Sequence, residues 1–386
     1  MRTKWILIES QITGRFGHYS NYIKSILSIV DCERVYVPSN CDLDEPLFRK
    51  SLTPFKPRWF KGKAIAKACS VLYQAKMSLK RLSEVQSIIS QLENDKHILF
   101  WLTVDDFEVI SFLMVKVPEN ISLFGISHMK MQSRYAKLVL IILRCAKILC
   151  YSRKTLGCNT KDIAKNFQGI AGDCLNVTVV PYPYSQPNCR ELLGDAPQYI
   201  TYLGDARSEK GFCLILDCLE NLVQKSKLFI QCYMNSGLSS KPEEEDLVTR
   251  LGEMRHQTVT DERIHWCDGI LSDVEYCQVL GSSKIILLPY LASRYEGRVS
   301  GILGEALIHG VPVIVSAGTW LADQVEAYGG GVVMKEYTAQ ELIGAVDIIL
   351  AEEKIFRSAA RKAGEAFFAV NNPIKLKEVI INSFDF

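Results

Sequence analysis

Several polar residues fall close together in residues 290–312, YLASRYEGRVSGILGEALIHGVP, and their types suit an anionic ligand. Arg298 and Ser300 precede a segment with helical spacing, and Glu305 lies just over one turn into it. Free amides at a helix N-terminus bind anions, and a guanidinium pairs with phosphate oxygens. A carboxylate accepts hydrogen bonds from hydroxyls. The stretch therefore predicts a site for a phosphate-bearing ligand that also carries hydroxyl groups.

The elements around this stretch explain how it would be positioned. The apolar runs KIILLP, residues 284–289, and VPVIVS, residues 311–316, have the β-branched content of buried parallel strands. Between them a helix is predicted to begin near Gly301 and to stop at Gly310. The order is strand, loop, helix, strand. Ligands of open α/β sheets bind outside the carboxyl ends of such strands.

A second cationic loop is predicted after the strand that opens YLGDARSEKGF, residues 202–212. Arg207 can contact two phosphate oxygens at once, and Lys210 adds a compact charge. Together with the helix amides they would clamp a diphosphate, while Glu305 would accept hydrogen bonds from ribose hydroxyls. These features indicate a nucleotide sugar. The alternatives are that both cations are ordinary exposed loop residues and that Glu305 only caps or forms an ion pair.

The first half of the chain offers weaker signals. Gly14 and Gly17 follow the strand-like WILIES and would allow a close backbone approach to a ligand, although a plain strand-to-helix turn is the alternative. His18 follows at once, and His128 stands at the end of another predicted strand. Both would point into one cleft, but each taken singly is more often a structural histidine. Asp105-Asp106 could hold a metal ion, although capping of the next helix is preferred.

Alternation of strand-like and helix-like segments predicts the architecture. Two such series indicate an α/β protein with two facing Rossmann-like doubly wound domains and a C-terminal helix that packs back on the first domain. We predict an N-terminal acceptor-binding domain at 1–190, a donor domain at 191–370 and a returning helix at 371–386. The predicted strands are WILIES, RVYVPS, HILFWLT, NISLFGIS, AKILCYS and NVTVVPYP in the first series, and YITYLG, KLFIQCYM, RIHWCDG, KIILLPY, VPVIVS and GGVVMK in the second.

Composition excludes several protein classes. The 386 residues are 48% hydrophobic and 23% charged, as in ordinary folded proteins. The net charge of +2 gives no global sign of nucleic-acid binding. The 13 cysteines show no paired or metal-binding spacing, so we expect reduced thiols in a cytoplasmic protein. The first apolar run is too short for a signal peptide, and the longest, residues 138–143, is too short to span a bilayer.

The segment 46–83 has no acidic residue. Aromatic side chains lie between its basic ones, a pattern typical of contact with an anionic membrane surface or acceptor. The alternative without a binding role is an ordinary helix with a solvated basic face. Nucleic acid is the least expected partner. The ten basic residues are Arg49, Lys50, Lys56, Arg58, Lys61, Lys63, Lys67, Lys76, Lys80 and Arg81.

YLGDARSEKGF, followed by LLPY…YEGRVSGILGEALIHGVPVIV, resembles the donor half of GT-B glycosyltransferases of the retaining family-4 type (glycosyl transferases group 1). The resemblance covers nearly all of 199–350, and the first domain is similar only in its Gly-His loop and strand pattern. It implies that Glu305 holds the nucleotide ribose and that Arg207 and Lys210 neutralise the donor diphosphate. It also implies that Gly17 lies in a loop near the donor phosphates.

The chain departs from the family pattern at two places. Gly297 stands where the first glutamate of the family's E-x7-E motif would be, and Glu296 is one place too early. Asp205 stands where the family's loop arginine would be, two places before Arg207. The sequence instead resembles a subgroup that reads R-x-S-G-x-x-x-E, here at Arg298, Ser300, Gly301 and Glu305.

The resemblance implies a retaining glycosyltransferase of the hexosyltransferase type, which needs neither metal nor cofactor. It would move sugar from a nucleotide-diphosphate sugar to a glycan, lipid-linked or other hydroxyl acceptor, as in polysaccharide biosynthesis. We expect it in the cytoplasm, peripherally at the inner face of the membrane. A nucleotide-sugar epimerase or sugar phosphorylase of the same fold, or an inactive binding or scaffold protein at a membrane, are the alternatives. The expected catalytic residues are Arg207, Lys210, Glu305 and His128, and the donor-binding residues are Gly17, His18, Tyr290, Arg298, Ser300 and Gly301.

Overall fold

The structure is a computed structural model. It describes residues 3–13, 18–54, 65–93, 95–104, 108–131, 133–145, 153–172, 175–185, 197–233 and 242–384. The chain divides into two compact units. The first unit comprises residues 1–183 and 372–386, and the second comprises 184–371. The domain boundaries predicted from the sequence lie at 190/191 and 370/371.

The strands are β1 (Lys4–Ile8), β2 (Cys32–Pro38), β3 (Phe48–Leu52), β4 (His97–Trp101), β5 (Ile121–Ser127), β6 (Lys154–Cys158), β7 (Asn176–Val179), β8 (Tyr199–Tyr202), β9 (Lys227–Gln231), β10 (Ile264–Cys267), β11 (Ser283–Leu288), β12 (Val313–Ser316) and β13 (Gly331–Met334). The helices are α1 (His18–Leu27), α2 (Ile65–Ser90), α3 (Glu108–Met114), α4 (Arg134–Cys145), α5 (Lys161–Ala171), α6 (Phe212–Lys225), α7 (Pro242–Gln257), α8 (Asp273–Ser282), α9 (Ala292–Tyr295), α10 (Gly301–Ile308), α11 (Trp320–Tyr328), α12 (Ala339–Ala351), α13 (Glu353–Val370) and α14 (Pro373–Asn382).

The first unit is built on a parallel sheet in the order β3-β2-β1-β4-β5-β6-β7. Strands β4, β5 and β6 are buried along their whole length because helices cover both faces, which is why they read as unbroken apolar runs. One core cluster packs helices α2 to α5 on the sheet, and a second contains residues of α1 and α14.

Helix α14 returns to the first unit, as the sequence predicted. Leu376 and Ile380 are fully buried in the core cluster that includes Leu7 and Phe100. Pro373 occupies its first turn and Asn372 caps it by accepting a hydrogen bond from a backbone amide. Proline is favoured in the first turn of a helix because a backbone N–H there has no partner within the helix, so its absence costs nothing. Helix α14 therefore starts anew at Pro373, after α13 has ended at Val370.

One strand of the first unit was not predicted, and several predicted features fall outside the described residues. The basic segment contains an edge strand, β3, which the sequence pattern did not reveal because its central residues are exposed and polar. The strand predicted as AKILCYS, 146–152, lies outside the described residues. The strand next to β5 is instead β6. Gly14, Gly17 and Asp105-Asp106 also lie outside the described residues.

The second unit is built on a parallel sheet in the order β10-β9-β8-β11-β12-β13. Each strand predicted for this half is present. Both sheets therefore run outward in two directions from a central pair, β1 with β4 and β8 with β11. This is the doubly wound Rossmann arrangement, in which the central pair forms the switch point where ligands bind. The predicted fold class is confirmed.

Cys277 forms a disulfide bond, so the prediction of reduced cysteines is wrong for this residue. The pairing depends on which segments the fold brings together, and that is not encoded in cysteine spacing. In the described part of the chain eight cysteines are free thiols. None of the described helices is both long and apolar enough to cross a bilayer.

Candidate functional site

The loops that follow β8 and β11 meet at the switch point of the second unit. The β8 loop turns through a short 3₁₀ helix, Ser208–Lys210, before α6. The backbone N–H of Leu291 donates a hydrogen bond to the carbonyl of Glu209, at 3.0 Å. Gly211 lies against Pro289 so closely that a Cβ atom would come within 2.0 Å of the proline carbonyl, and its φ is 76°. Only glycine permits this contact between the two loops.

Three cations gather in these loops around two carboxylates. Arg207 pairs with Asp205 at 3.1 Å and with Glu209 at 2.9 Å. Arg298 reaches the same Glu209 oxygen at 3.5 Å. Lys210 lies 3.8 Å from Asp205. The cluster carries one net positive charge, and Arg207 Nε is buried without a hydrogen-bond partner within the described chain. The cluster can therefore bind an anion, whose oxygens would pair with these cations in place of the carboxylates or beside them.

Lys210 is buried, with 8% of its surface exposed. Burial lowers the pKa of its ammonium group to about 8, and the nearby Asp205 partly opposes this. Gly204 leaves room for it, since a Cβ atom there would lie 3.1 Å from Lys210 Nζ. A buried amine with a lowered pKa is stabilised in its charged form by an incoming phosphate, which adds negative charge beside that of Asp205.

Aromatic side chains hold Arg298 and the start of α10 in place. The Arg298 guanidinium lies over the Tyr295 ring, 4.9 Å from its centroid. Tyr295 packs on the buried Tyr290 with ring centroids 4.5 Å apart. Tyr290 shares a side-chain hydrogen bond with Ser300, the N-cap of α10. Tyr290 therefore has a positioning role here, beneath Arg298 and Ser300.

Helix α10 begins where the sequence predicted. Ser300 accepts a hydrogen bond from the backbone amide of Leu303 at 3.3 Å, which fixes the first turn from Gly301. Glu305 is half-buried one turn further on. Tyr276 of α8 donates a hydrogen bond to Glu305 Oε2 at 2.6 Å. Burial raises the pKa of Glu305 to about 7, although this hydrogen bond lowers it. A carboxylate so placed can accept hydrogen bonds from a sugar diol.

His128 lies in the first unit, at the end of β5, with both ring nitrogens engaged. Nδ1 lies 2.5 Å from Asn159 Oδ1, and Nε2 lies 3.1 Å from the carbonyl of Leu102. Asn159 Nδ2 has no partner in the described chain, so turning the amide over would let it donate to Nδ1 of a neutral ring. Burial lowers the His128 pKa. This geometry gives His128 a structural role, and its predicted catalytic role stays a prediction.

The switch point of the first unit holds a carboxyl group that the sequence did not single out. Glu9 follows β1 and is fully buried. It accepts hydrogen bonds from Thr103 at 2.8 Å and from the backbone amide of Gln11 at 2.7 Å. Burial raises its pKa to about 8. Through these two hydrogen bonds, Glu9 connects the segment after β1 with the segment after β4.

The structure unites Arg207, Lys210, Arg298, Tyr290 and Ser300 in one connected group, with Gly301 and Glu305 on the helix that Ser300 caps. His18 begins α1, and Gly17 lies outside the described residues. Glu296 is exposed at the end of the short α9.

Sequence reasoning missed Glu209 and Tyr276. The alternation of charge in RSEK was the available signal for Glu209, whereas nothing in the sequence marked Tyr276. Across the described ranges, no group of three or more His, Cys, Asp or Glu side chains is arranged to hold a metal ion.

Comparisons with known proteins bear on the fold. No protein-family model matches the chain, and no curated protein matches it. Solved structures do. Sucrose-phosphate synthase from Thermosynechococcus elongatus aligns with a TM-score of 0.67 at 14% identity, covering 99% of each chain. An α,α-trehalose-phosphate synthase (UDP-forming) from Burkholderia vietnamiensis aligns with a TM-score of 0.71 at 11% identity, also covering 99% of each chain. The chain has the GT-B fold.

A third GT-B structure was solved with ligands. HepE from Anabaena, in complex with UDP and glucose, aligns with a TM-score of 0.65 at 14% identity and covers 99% of each chain. Identities this low show the shared fold alone. The function of this GT-B chain must therefore be inferred from its own residues.

Proposed function

We propose that the protein is a retaining glycosyltransferase that uses a nucleotide-diphosphate sugar, without metal or cofactor. The observation that carries this proposal is the convergence of Arg207, Lys210 and Arg298 beside the N-terminus of α10, which bears Glu305. Such a group suits a diphosphate joined to a ribose. Its place at the switch point of a Rossmann-like sheet is where nucleotides bind in folds of this kind.

The proposed chemistry is sugar transfer with retained anomeric configuration. The bond between the sugar's anomeric carbon and the diphosphate oxygen breaks, and a bond from the same carbon to the acceptor oxygen forms on the same face. The acceptor's proton passes to the leaving phosphate oxygen. Arg207, Lys210, Arg298 and the α10 amides stabilise the negative charge that develops on the diphosphate. Glu305 holds the ribose by its free carboxylate oxygen while Tyr276 occupies the other.

The base of the donor, the acceptor and the location of the protein are part of the proposal. Among the similar structures, HepE was solved with UDP-glucose, and the E. coli trehalose-6-phosphate protein with UDP-2-fluoro glucose, so uridine is the base to test first. The acceptor is proposed to be a glycan or lipid-linked hydroxyl, as in polysaccharide synthesis. A cytoplasmic location is proposed because eight cysteines of the described chain are free thiols, as is usual in a reducing compartment.

A donor turnover assay tests the proposed function. The full-length protein is incubated with UDP-, GDP-, ADP- and CMP-sugars, and nucleotide release and the anomeric configuration of the product are followed by NMR. We expect release from one donor class, retention at the anomeric carbon, and loss of at least about 100-fold in rate in Glu305→Ala and Lys210→Ala. Full activity in both variants would refute the proposal. Binding without turnover would favour the inactive scaffold.

A further inference from the structure

Two helices that pack on the same core cluster of the first unit, α2 and α4, carry apolar side chains on their exposed faces. On α2, Leu72 is 70% exposed and Leu79 is 62% exposed, and their spacing of seven residues places them on the same face. On α4, the exposed residues Leu138, Ile141 and Ile142 follow the i, i+3, i+4 pattern of one helical face. Elsewhere in the described chain, exposed large apolar residues number at most two to a helix.

The two helices are joined directly. Ser133, which precedes α4, donates a hydrogen bond to Gln74 of α2 at 2.7 Å. Gln74 lies two residues from Leu72, and Ser133 lies five residues from Leu138. Residues two apart lie on opposite sides of a helix, so this bond is on the inner side of α2. Both helices pack on the same core cluster, and their apolar side chains lie on the outer faces. We call these five side chains, Leu72, Leu79, Leu138, Ile141 and Ile142, the apolar patch.

Most of α2 and all of α4 lie in stretches of sequence that carry basic residues and no acidic ones. Helix α2 from its start to 83 belongs to the acid-free segment 46–83, and α4 belongs to a second acid-free segment, 120–161. These segments hold ten and eight of the 45 basic residues and none of the 43 acidic ones. Lys76 and Lys80 are exposed on α2, on the face that carries Leu72 and Leu79, and Lys137 lies beside Leu138. Since the whole chain has a net charge of only +2, positive charge is concentrated in these two segments.

We propose that the apolar patch and its lysines form a docking surface for an anionic lipid bilayer. The lysines are attracted to anionic headgroups, while the leucine and isoleucine side chains enter the boundary between headgroups and acyl chains. Charge complementarity selects this occupant. A second copy of the chain would bring the same acid-free segments together and would meet repulsion between like charges.

Vesicle flotation with the full-length protein tests the docking surface. Vesicles are phosphatidylcholine alone or with one quarter phosphatidylglycerol, in low and high salt. We expect co-flotation with the anionic vesicles at low salt and a large loss in 0.5 M salt, because headgroup attraction is screened. The variant Leu138→Ser/Ile141→Ser/Ile142→Ser and the variant Lys76→Glu/Lys80→Glu should each reduce vesicle partition by roughly tenfold or more.

The matched control is Ile348→Ser/Ile355→Ser, which removes two equally exposed isoleucines from α12 and α13 of the second unit. It should float like the unaltered protein. Nucleotide binding, which depends on the second unit, should be unchanged in all variants, so failure of docking and failure of the proposed function are distinguishable. The proposal is overturned if the protein does not float with anionic vesicles. It is also overturned if the α4 variant floats normally, or if that variant only converts a dimer to a monomer by light scattering.

Discussion

Glu209 Oε1 lies 2.9 Å from Arg207 Nη1, and so occupies the position at which an arginine would hold a phosphate oxygen. Arg298 approaches the same oxygen at 3.5 Å. A diphosphate must therefore compete with a carboxylate of the protein for two guanidinium groups. Glu209 keeps the cations gathered before the ligand arrives, and it lowers the affinity for that ligand.

Replacing Glu209 by Gln should tighten the binding of a nucleoside diphosphate. The neutral amide competes less well for Arg207 and Arg298, so we expect affinity for UDP to rise by roughly tenfold, equivalent to about 1.4 kcal/mol. Isothermal titration calorimetry measures this directly. Uridine should bind equally to both forms, and the exposed Glu253→Gln on α7 serves as the control. Weaker UDP binding in Glu209→Gln would show that the carboxylate supports the site instead of competing for it.

Diphosphate binding should weaken as pH rises above about 8. Burial lowers the pKa of Lys210 to about 8, so the ligand-free protein loses this charge progressively above that pH, and binding must then recover the proton. Affinity should fall by up to tenfold per pH unit above 8, with proton uptake seen by calorimetry in buffers of different ionisation enthalpy. Lys210→Arg, which stays charged, should abolish the uptake. Uptake that persists in this variant would assign the proton elsewhere.

The lower pH limit of nucleotide binding should report on Glu305. Its pKa is raised to about 7, so the ionised form that accepts two ribose hydrogen bonds is depleted below that pH. The Tyr276 hydroxyl lowers the Glu305 pKa, and Tyr276→Phe should therefore move the midpoint for UDP binding to higher pH. Inorganic pyrophosphate lacks the ribose and is the matched control ligand. A midpoint that is the same in Tyr276→Phe would exclude Glu305 as the titrating group.

The stability of the first unit should depend on Arg81. This fully buried side chain donates to Glu108 at 2.8 Å and to Glu84 at 2.6 Å. Arg81→Met leaves the buried Glu108 carboxylate uncompensated, and removing one partner of a buried pair costs about 3–5 kcal/mol. Urea denaturation followed by circular dichroism measures the loss. Adding Glu108→Leu to the same chain should restore part of it, whereas a further loss would mean that the pair is not coupled.

The sequence predicted the inner strands of the second unit, β8, β9, β11 and β12, because they are largely buried and read as apolar runs between turn residues. It grouped Arg207, Lys210 and Ser300 because each lies in the stretch between such a strand and the helix that packs after it. It missed β3, whose exposed edge position gives it the polar pattern of a loop. It also missed Tyr276, because the contact with Glu305 joins two helices 29 residues apart and leaves no local pattern. Whether a carboxylate competes for the cations, as Glu209 does, depends on side-chain geometry and not on residue order.

The most direct test of the central claim is a calorimetric comparison of a nucleoside diphosphate with its monophosphate. If Arg207, Lys210 and Arg298 hold a diphosphate, UDP, or the corresponding GDP or ADP, should bind roughly 100-fold more tightly than the monophosphate, because charge-assisted hydrogen bonds contribute about 1.5–3 kcal/mol each. Arg207→Ala should remove most of this difference. Equal affinity for the two nucleotides in the unaltered protein, or a difference that survives Arg207→Ala, would contradict the account.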